Sequence, residues 1–145
     1  MNIMKKNVIL ILTIFLVIIV VIGYGIYNRR ASISKSSIEN KAYESFYNQQ
    51  VLGTDVISII NKAVDSNEKN SVEKDEKGNY IENDENSIKI DIKFKELDQI
   101  ITMERINEVG MQQFWQNYGA LNFKCTKIEY HKKTNNVIYL YFEQI

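Results

Sequence analysis

The chain has 145 residues, with 18 basic and 18 acidic side chains, one histidine, one cysteine and no proline. A net charge of zero argues against nucleic acid or an anionic surface as the main partner. The lone cysteine excludes an internal disulfide framework, and one histidine beside it cannot build a typical zinc site.

Residues 1–7 form a short tail containing Lys5 and Lys6. Residues 8–27, from Val8 to Tyr27, are free of charge. As a helix rising about 1.5 Å per residue, this run reaches roughly 30 Å, the hydrocarbon thickness of a bilayer. It predicts a single transmembrane helix. The run is too long for the apolar region of a secretory signal, and it ends in Tyr-Gly-Ile-Tyr before Arg29 and Arg30, so an uncleaved signal-anchor is expected. The short lysine-bearing tail favours a cytoplasmic N-terminus, with the domain extracytoplasmic at the cell membrane. Arg29, Arg30 and Lys35 nearly balance it, which keeps a cytoplasmic domain as the alternative.

Residues 28–37 read as a polar juxtamembrane linker with four serines, and residues 38–145 as one domain. Together, residues 28–145 carry 16 basic and 18 acidic residues, a net of −2. Ile38, Ala42 and Phe46 recur at helical spacing, with Gly53 as the expected helix end. Thr54 or Asp55 then caps a second helix, whose buried face is Val56, Ile59, Ile60, Ala63 and Val64.

From Glu68 to Asn86 the chain is polar, with a turn at Asp75–Gly78. Val72 and Tyr80–Ile81 would be two short strands of a hairpin, and a mobile loop is the other reading. A calcium loop starting at Glu73 fails, because its fifth position is Lys77 and its twelfth is Asp84 rather than Glu.

Ser87–Lys95 alternates strictly. Ile88, Ile90, Ile92 and Phe94 form a buried face, and the lysines opposite are suited to guarding a sheet edge. Residues 97–101 connect to a helix capped by Thr102 and running to Tyr118, with Gly110 in its middle to allow close approach to the sheet. Phe123–His131 and Val137–Glu143 make the last hairpin. A change of apolar face after Cys125 points to a bulge, and two apolar faces on the final strand place it centrally. The class is α+β, with a mainly antiparallel sheet packed against helices.

No Gly-rich phosphate loop and no Gly-x-Ser-x-Gly elbow appear. His131 reads as an exposed turn residue. Cys125 reads as a half-buried strand residue, with an intermolecular disulfide as the alternative. Six residues of extended strand hold the two about 20 Å apart. Catalytic, cofactor and metal residues are expected to be none, and the chain is read as non-enzymatic. The aromatic residues exceed what a small core needs. Tyr43, Tyr47, Trp115, Tyr139 and Tyr141 are the candidate interaction surface, since Tyr and Trp anchor protein interfaces. Plain core packing explains the same residues.

The stretch from Tyr47-Asn48-Gln49-Gln50-Val51-Leu52-Gly53-Thr54-Asp55-Val56 to Asn67, with the ending Phe123-Lys124-Cys125 to Glu143, resembles uncharacterised small single-span envelope proteins of Gram-positive bacteria. The resemblance implies an envelope location and carries over no catalytic residue. In order of elements the domain also resembles ring-building domains of secretion and sporulation complexes, although an extra final strand departs from that pattern. The expected role is protein interaction or assembly, with a protein partner or a second copy. A small-ligand or sensor domain, with a pocket between the 102–118 helix and the sheet, is the alternative.

Overall fold

The computed structural model describes residues 3–96 and 99–145, with side chains over 7–30, 38–96 and 99–145. The chain divides into two units, Met1–Lys35 and Ser36–Ile145. Helix α1 (Ile3–Glu44) runs through the boundary. Residues 28–37, expected as a linker, are helical in backbone. They contain neither glycine nor proline, so nothing in the sequence interrupts the turns begun in the apolar segment. In the first unit, Asn7–Arg30 is a 24-residue helical segment whose most apolar stretch has a mean hydropathy of 3.1, long and apolar enough to cross a membrane.

The second unit is α+β. Its elements after α1 are β1 (Gln50–Leu52), α2 (Gly53–Lys69), β2 (Lys89–Lys93), β3 (Ile100–Thr102), α3 (Met103–Val109), α4 (Met111–Tyr118), β4 (Asn122–Tyr130) and β5 (Val137–Gln144). The five strands form one sheet in the order β1-β4-β5-β2-β3. Three neighbouring pairs are antiparallel, and β2 with β5 is parallel. β5 is therefore central, as its two apolar faces predict. β2 is internal as well, so its lysines guard no edge; the edges are the three-residue strands β1 and β3. The bulge expected after Cys125 is present, with Thr126 as the extra residue.

The first expected helix is shorter than its pattern. It ends at Glu44, where Asn48 adopts φ 59° and donates its N–H to Cys125 O at 2.9 Å. Asparagine tolerates this left-handed conformation, and the chain leaves it as β1. Gly53 does not end that helix; it opens α2. A Cβ there would stand 2.1 Å from Tyr118 O, so only glycine lets the start of α2 meet the end of α4. Asp55 caps by reaching back, its Oδ2 accepting the Leu52 N–H at 3.0 Å.

Thr102 caps α3 as expected, with Oγ1 accepting the Arg105 N–H at 3.3 Å. The single 102–118 helix is instead two. Gly110 has φ 109°, a conformation side chains rarely adopt, and breaks the helix there. Nothing lies within 4 Å of where its Cβ would be, so the glycine serves a bend and not a close approach. Of the connection at 97–101, residues 97 and 98 lie outside the described residues.

The Glu68–Asn86 segment forms neither of the two expected short strands; it is a turn closed by one isolated antiparallel bridge between Lys74 and Tyr80. Asp75 Oδ1 holds its turn by accepting the N–H groups of Lys77 (2.9 Å) and Asn79 (2.8 Å). Val72 and Tyr80 are buried beside it.

The core joins Val56, Ile59, Ile60 and Ala63 of α2 to Ile90, Ile92, Cys125, Leu140 and Phe142 of the sheet. Phe94 sits among the rings of Phe114, Tyr118 and Phe123, with centroids 4.5 to 6.0 Å away. His131 is not an exposed turn residue. It is 3% exposed, and its Nε2 lies 2.8 Å from Ser87 O, drawn inward by that carbonyl. Two further polar residues on helices are buried, Asn40 and Asn67. Asn67 Nδ2 donates to Ile88 O and its Oδ1 accepts the Ile88 N–H, both at 2.8 Å.

Asn67→Ala strips a partner from both backbone groups of Ile88 and is expected to cost about 2–3 kcal/mol. Gly53→Ala, which forces α2 and α4 apart, should cost about 3 kcal/mol. Asn107→Ala, at an exposed position, should stay within about 0.5 kcal/mol of wild type. Urea titration of the full chain in detergent, followed by near-ultraviolet circular dichroism, measures all three. An Asn67 variant as stable as the Asn107 variant would refute the bidentate clamp.

Candidate functional site

Alternation along β5 sends Leu140 and Phe142 into the core and Tyr139 and Tyr141 to the opposite face of the sheet. The two tyrosine rings stack, with centroids 6.5 Å apart and planes at 21°. Tyr139 OH donates to Asp91 Oδ2 on β2 at 2.9 Å. From β4, Lys127 Nζ stands 5.4 Å from the centre of the Tyr139 ring and 2.6 Å from Glu129 Oε1. The result is a half-buried tyrosine pair framed by charges of both signs.

Burial acts on both partners of the Tyr139–Asp91 hydrogen bond. Burial pushes the Asp91 carboxyl up; the Tyr139 hydrogen bond pulls it down, and the charge of Glu104 adds to the rise. Burial, and then the neighbouring Asp91, push the Tyr139 phenol up as well. A phenol raised in this way stays protonated at neutral pH and acts as a hydrogen-bond donor.

The other candidate residues fall elsewhere. Tyr43 is 3% exposed and belongs to the core, with Lys62 Nζ 5.5 Å from its ring centre. It is drawn in because its face of α1 also carries Asn40, which bonds to the hairpin end of β4 and β5. Tyr47 is exposed, and its backbone bridges to Cys125. Trp115 is 57% exposed on α4. Only Tyr139 and Tyr141 of the five are in ring contact among the described residues.

Asp91 and Lys127 complete the tyrosine site and were not singled out by sequence. Both lie on the wet parity of their strands. Their relevance depends on β2 and β4 being the two neighbours of β5, which no local pattern encodes.

A cavity of about 290 Å³ lies between the 74–80 turn and α3, lined by Lys74, Lys77, Tyr80, Glu104, Arg105 and Glu108 among others. The expected pocket lay between the 102–118 helix and the sheet, where the rings of Phe94, Phe114, Tyr118 and Phe123 instead pack together. Two of the cavity's cations are engaged: Lys74 with Glu68 and Arg105 with Glu108, each at 2.6 Å. Tyr80 OH also donates to Glu68 at 2.7 Å, and the Lys74 and Tyr80 hydrogen bonds hold the Glu68 carboxyl below its usual range. Cys125 is buried, and burial pushes its thiol up. Among the described residues, no group of three or more His, Cys, Asp or Glu side chains is placed to hold a metal ion.

The raised Asp91 pKa has a stability consequence. Its folded value lies above the unfolded one, so the group favours folding while protonated, and that contribution is lost as pH rises through the folded value. Asp91→Asn keeps a side-chain acceptor for Tyr139 without the titration. Urea midpoints of variant and wild type should converge below the ordinary carboxylate range and diverge toward neutral pH, with the variant the more stable. A constant difference across pH would contradict this.

No family model matches the chain, and no curated protein or solved structure is significantly similar to it.

Proposed function

We propose that the protein is a membrane-anchored, non-enzymatic component of the cell envelope whose small domain is extracytoplasmic and works by binding protein. The observation that carries this reading is the helical segment Asn7–Arg30, 24 residues long and apolar enough to cross a membrane. Val8–Tyr27 contains fifteen Val, Ile, Leu and Phe residues. At about 0.3–0.6 kcal/mol each, their insertion into a bilayer is favourable by roughly 5 kcal/mol or more. Tyr24 and Tyr27, followed by Arg29 and Arg30, suit a membrane–water interface. The tyrosine pair on the sheet supports binding.

A ligand-binding reading draws on the cavity beside α3. The engagement of Lys74 and Arg105 by carboxylates ranks it second.

Two measurements test the anchoring and the orientation. The full chain should remain in the membrane pellet after an alkaline carbonate wash; release into the supernatant would refute the anchor. Lys77→Cys, in the exposed turn, should react with a membrane-impermeant maleimide in intact cells. Cys125, buried on β4, should react only after denaturation. Reaction of the introduced cysteine only after lysis would place the domain in the cytoplasm.

A further inference from the structure

Among the described residues, one buried side-chain oxygen or nitrogen lacks a hydrogen-bond partner: the hydroxyl of Tyr43, near the end of α1. Tyr43 is 3% exposed, and Lys62 of α2 stands over its ring. Ser66 of α2 interacts with the hydroxyl, but no hydrogen bond of proper geometry forms. A polar group buried in this way gives up its hydration without a replacement. The attachment of α2 to the sheet carries no such loss, since Asn67 pairs with both backbone groups of Ile88. The seam between α1 and α2 is the least satisfied one in the domain.

The end of α1 is also held differently from its neighbours. Asn40 bonds to Asn135 O and to the Val137 N–H. Glu44 Oε1 accepts the Tyr130 hydroxyl at 3.1 Å, and Phe46 meets the edge of the Phe142 ring with centroids 6.2 Å apart. These are all side-chain contacts. Among the described residues, the backbone of this region joins the sheet only at Tyr47 and Asn48, through the bridge to Cys125. Asn48 is left-handed, with φ 59°. A helical end fixed by side chains therefore precedes a backbone pin.

Such a segment can leave as a unit while α2 and the sheet keep their own hydrogen bonds. Leaving returns water to the Tyr43 hydroxyl and frees the Val137 N–H and Asn135 O at the start of β5. We propose that Asn40–Phe46 is a strap that opens and recloses on the folded domain, with Tyr47–Asn48 as its hinge. α1 is the covalent connection between the two units, so a change in the first unit reaches the sheet through this strap. The inference goes beyond the protein-binding reading and does not depend on it.

Hydrogen exchange of the full chain in detergent micelles, resolved to single amides, tests it. In wild type, the amides of residues 41–46 and of Val137 should share one opening, about ten-fold or more easier than that of the α2 amides. Tyr43→Phe removes the unpaired hydroxyl and should slow exchange of the strap by about ten-fold, the effect of relieving one unsatisfied buried group. Asn40→Ala should speed the strap and Val137 together by about ten-fold. The α2 amides should not change in either variant. Tyr43→Phe removes a cost and carries the test where Asn40→Ala does not fold. Strap amides that exchange in step with α2 in wild type would overturn the proposal, as would a Tyr43→Phe protein whose strap exchanges no more slowly than wild type.

Discussion

The domain depends on closing the end of the sheet at which the parallel strands β2 and β5 begin. β2 and β5 run side by side from Lys89↔Tyr139 to Lys93↔Glu143, so both strands start at the same end. Backbone groups just before the first rung have no ladder partner there, and leaving them buried and unpaired would cost about 1–3 kcal/mol each. Side-chain amides take the missing places. Asn67 pairs with both backbone groups of Ile88. Asn40 does the same work for β5, accepting the Val137 N–H at 2.9 Å and donating to Asn135 O at 2.7 Å. His131 spans the two strand starts through Ser87 O. All four buried polar residues among those described, Asn40, Asn67, Ser87 and His131, lie at this end.

Register follows from this closure. A slip of one residue would exchange the two faces of β2 or β5 and bring lysine and aspartate into the core. With both starts clamped, Ile90 and Ile92 meet Leu140 and Phe142 inside, while Lys89 and Asp91 meet Tyr139 and Tyr141 outside. β4 reaches the same outcome by two irregularities. Thr126 is extra on β4 and Ile138 is extra on β5, and the rungs between them set Lys127 and Glu129 opposite Tyr141 and Tyr139. The tyrosine site is thus a consequence of amide pairs at the sheet end and of bulges in its centre.

These causes explain what the sequence disclosed. Alternation along Ile88–Phe94, the two apolar faces of β5, the bulge after Cys125 and the buried stripe of α2 are local, period-two or period-3.6 signals, and the structure has each of them. His131 read as an exposed residue, and Asn40 and Asn67 were not singled out, because a polar side chain is buried only where a distant backbone group receives it, and period says nothing of that partner. Gly110 has the same ambiguity, since a glycine on a helical face is compatible with close packing or with a break, and only its φ decides. β1 is too short to alternate, and its pairing with β4 is what removes it from the preceding helix. For the candidate site, Tyr139 and Tyr141 were legible as a pair on one parity. Their partners were not, because strand order is a long-range property.

The two ends of the sheet differ in polarity. Where α1 joins the domain, buried amides and a histidine satisfy the backbone, and Lys133 with Glu85 and Thr134 with Glu85 O fasten the hairpin tip over them. That end is closed by internal polar contacts and offers few unmatched groups. At the far end the side chains of Leu52, Leu121 and Ile145 leave apolar surface in water. Exposed apolar area costs about 25 cal/mol per Å², so burying such side chains against a second apolar surface is favourable, whereas burying the polar end would first require desolvating its charges.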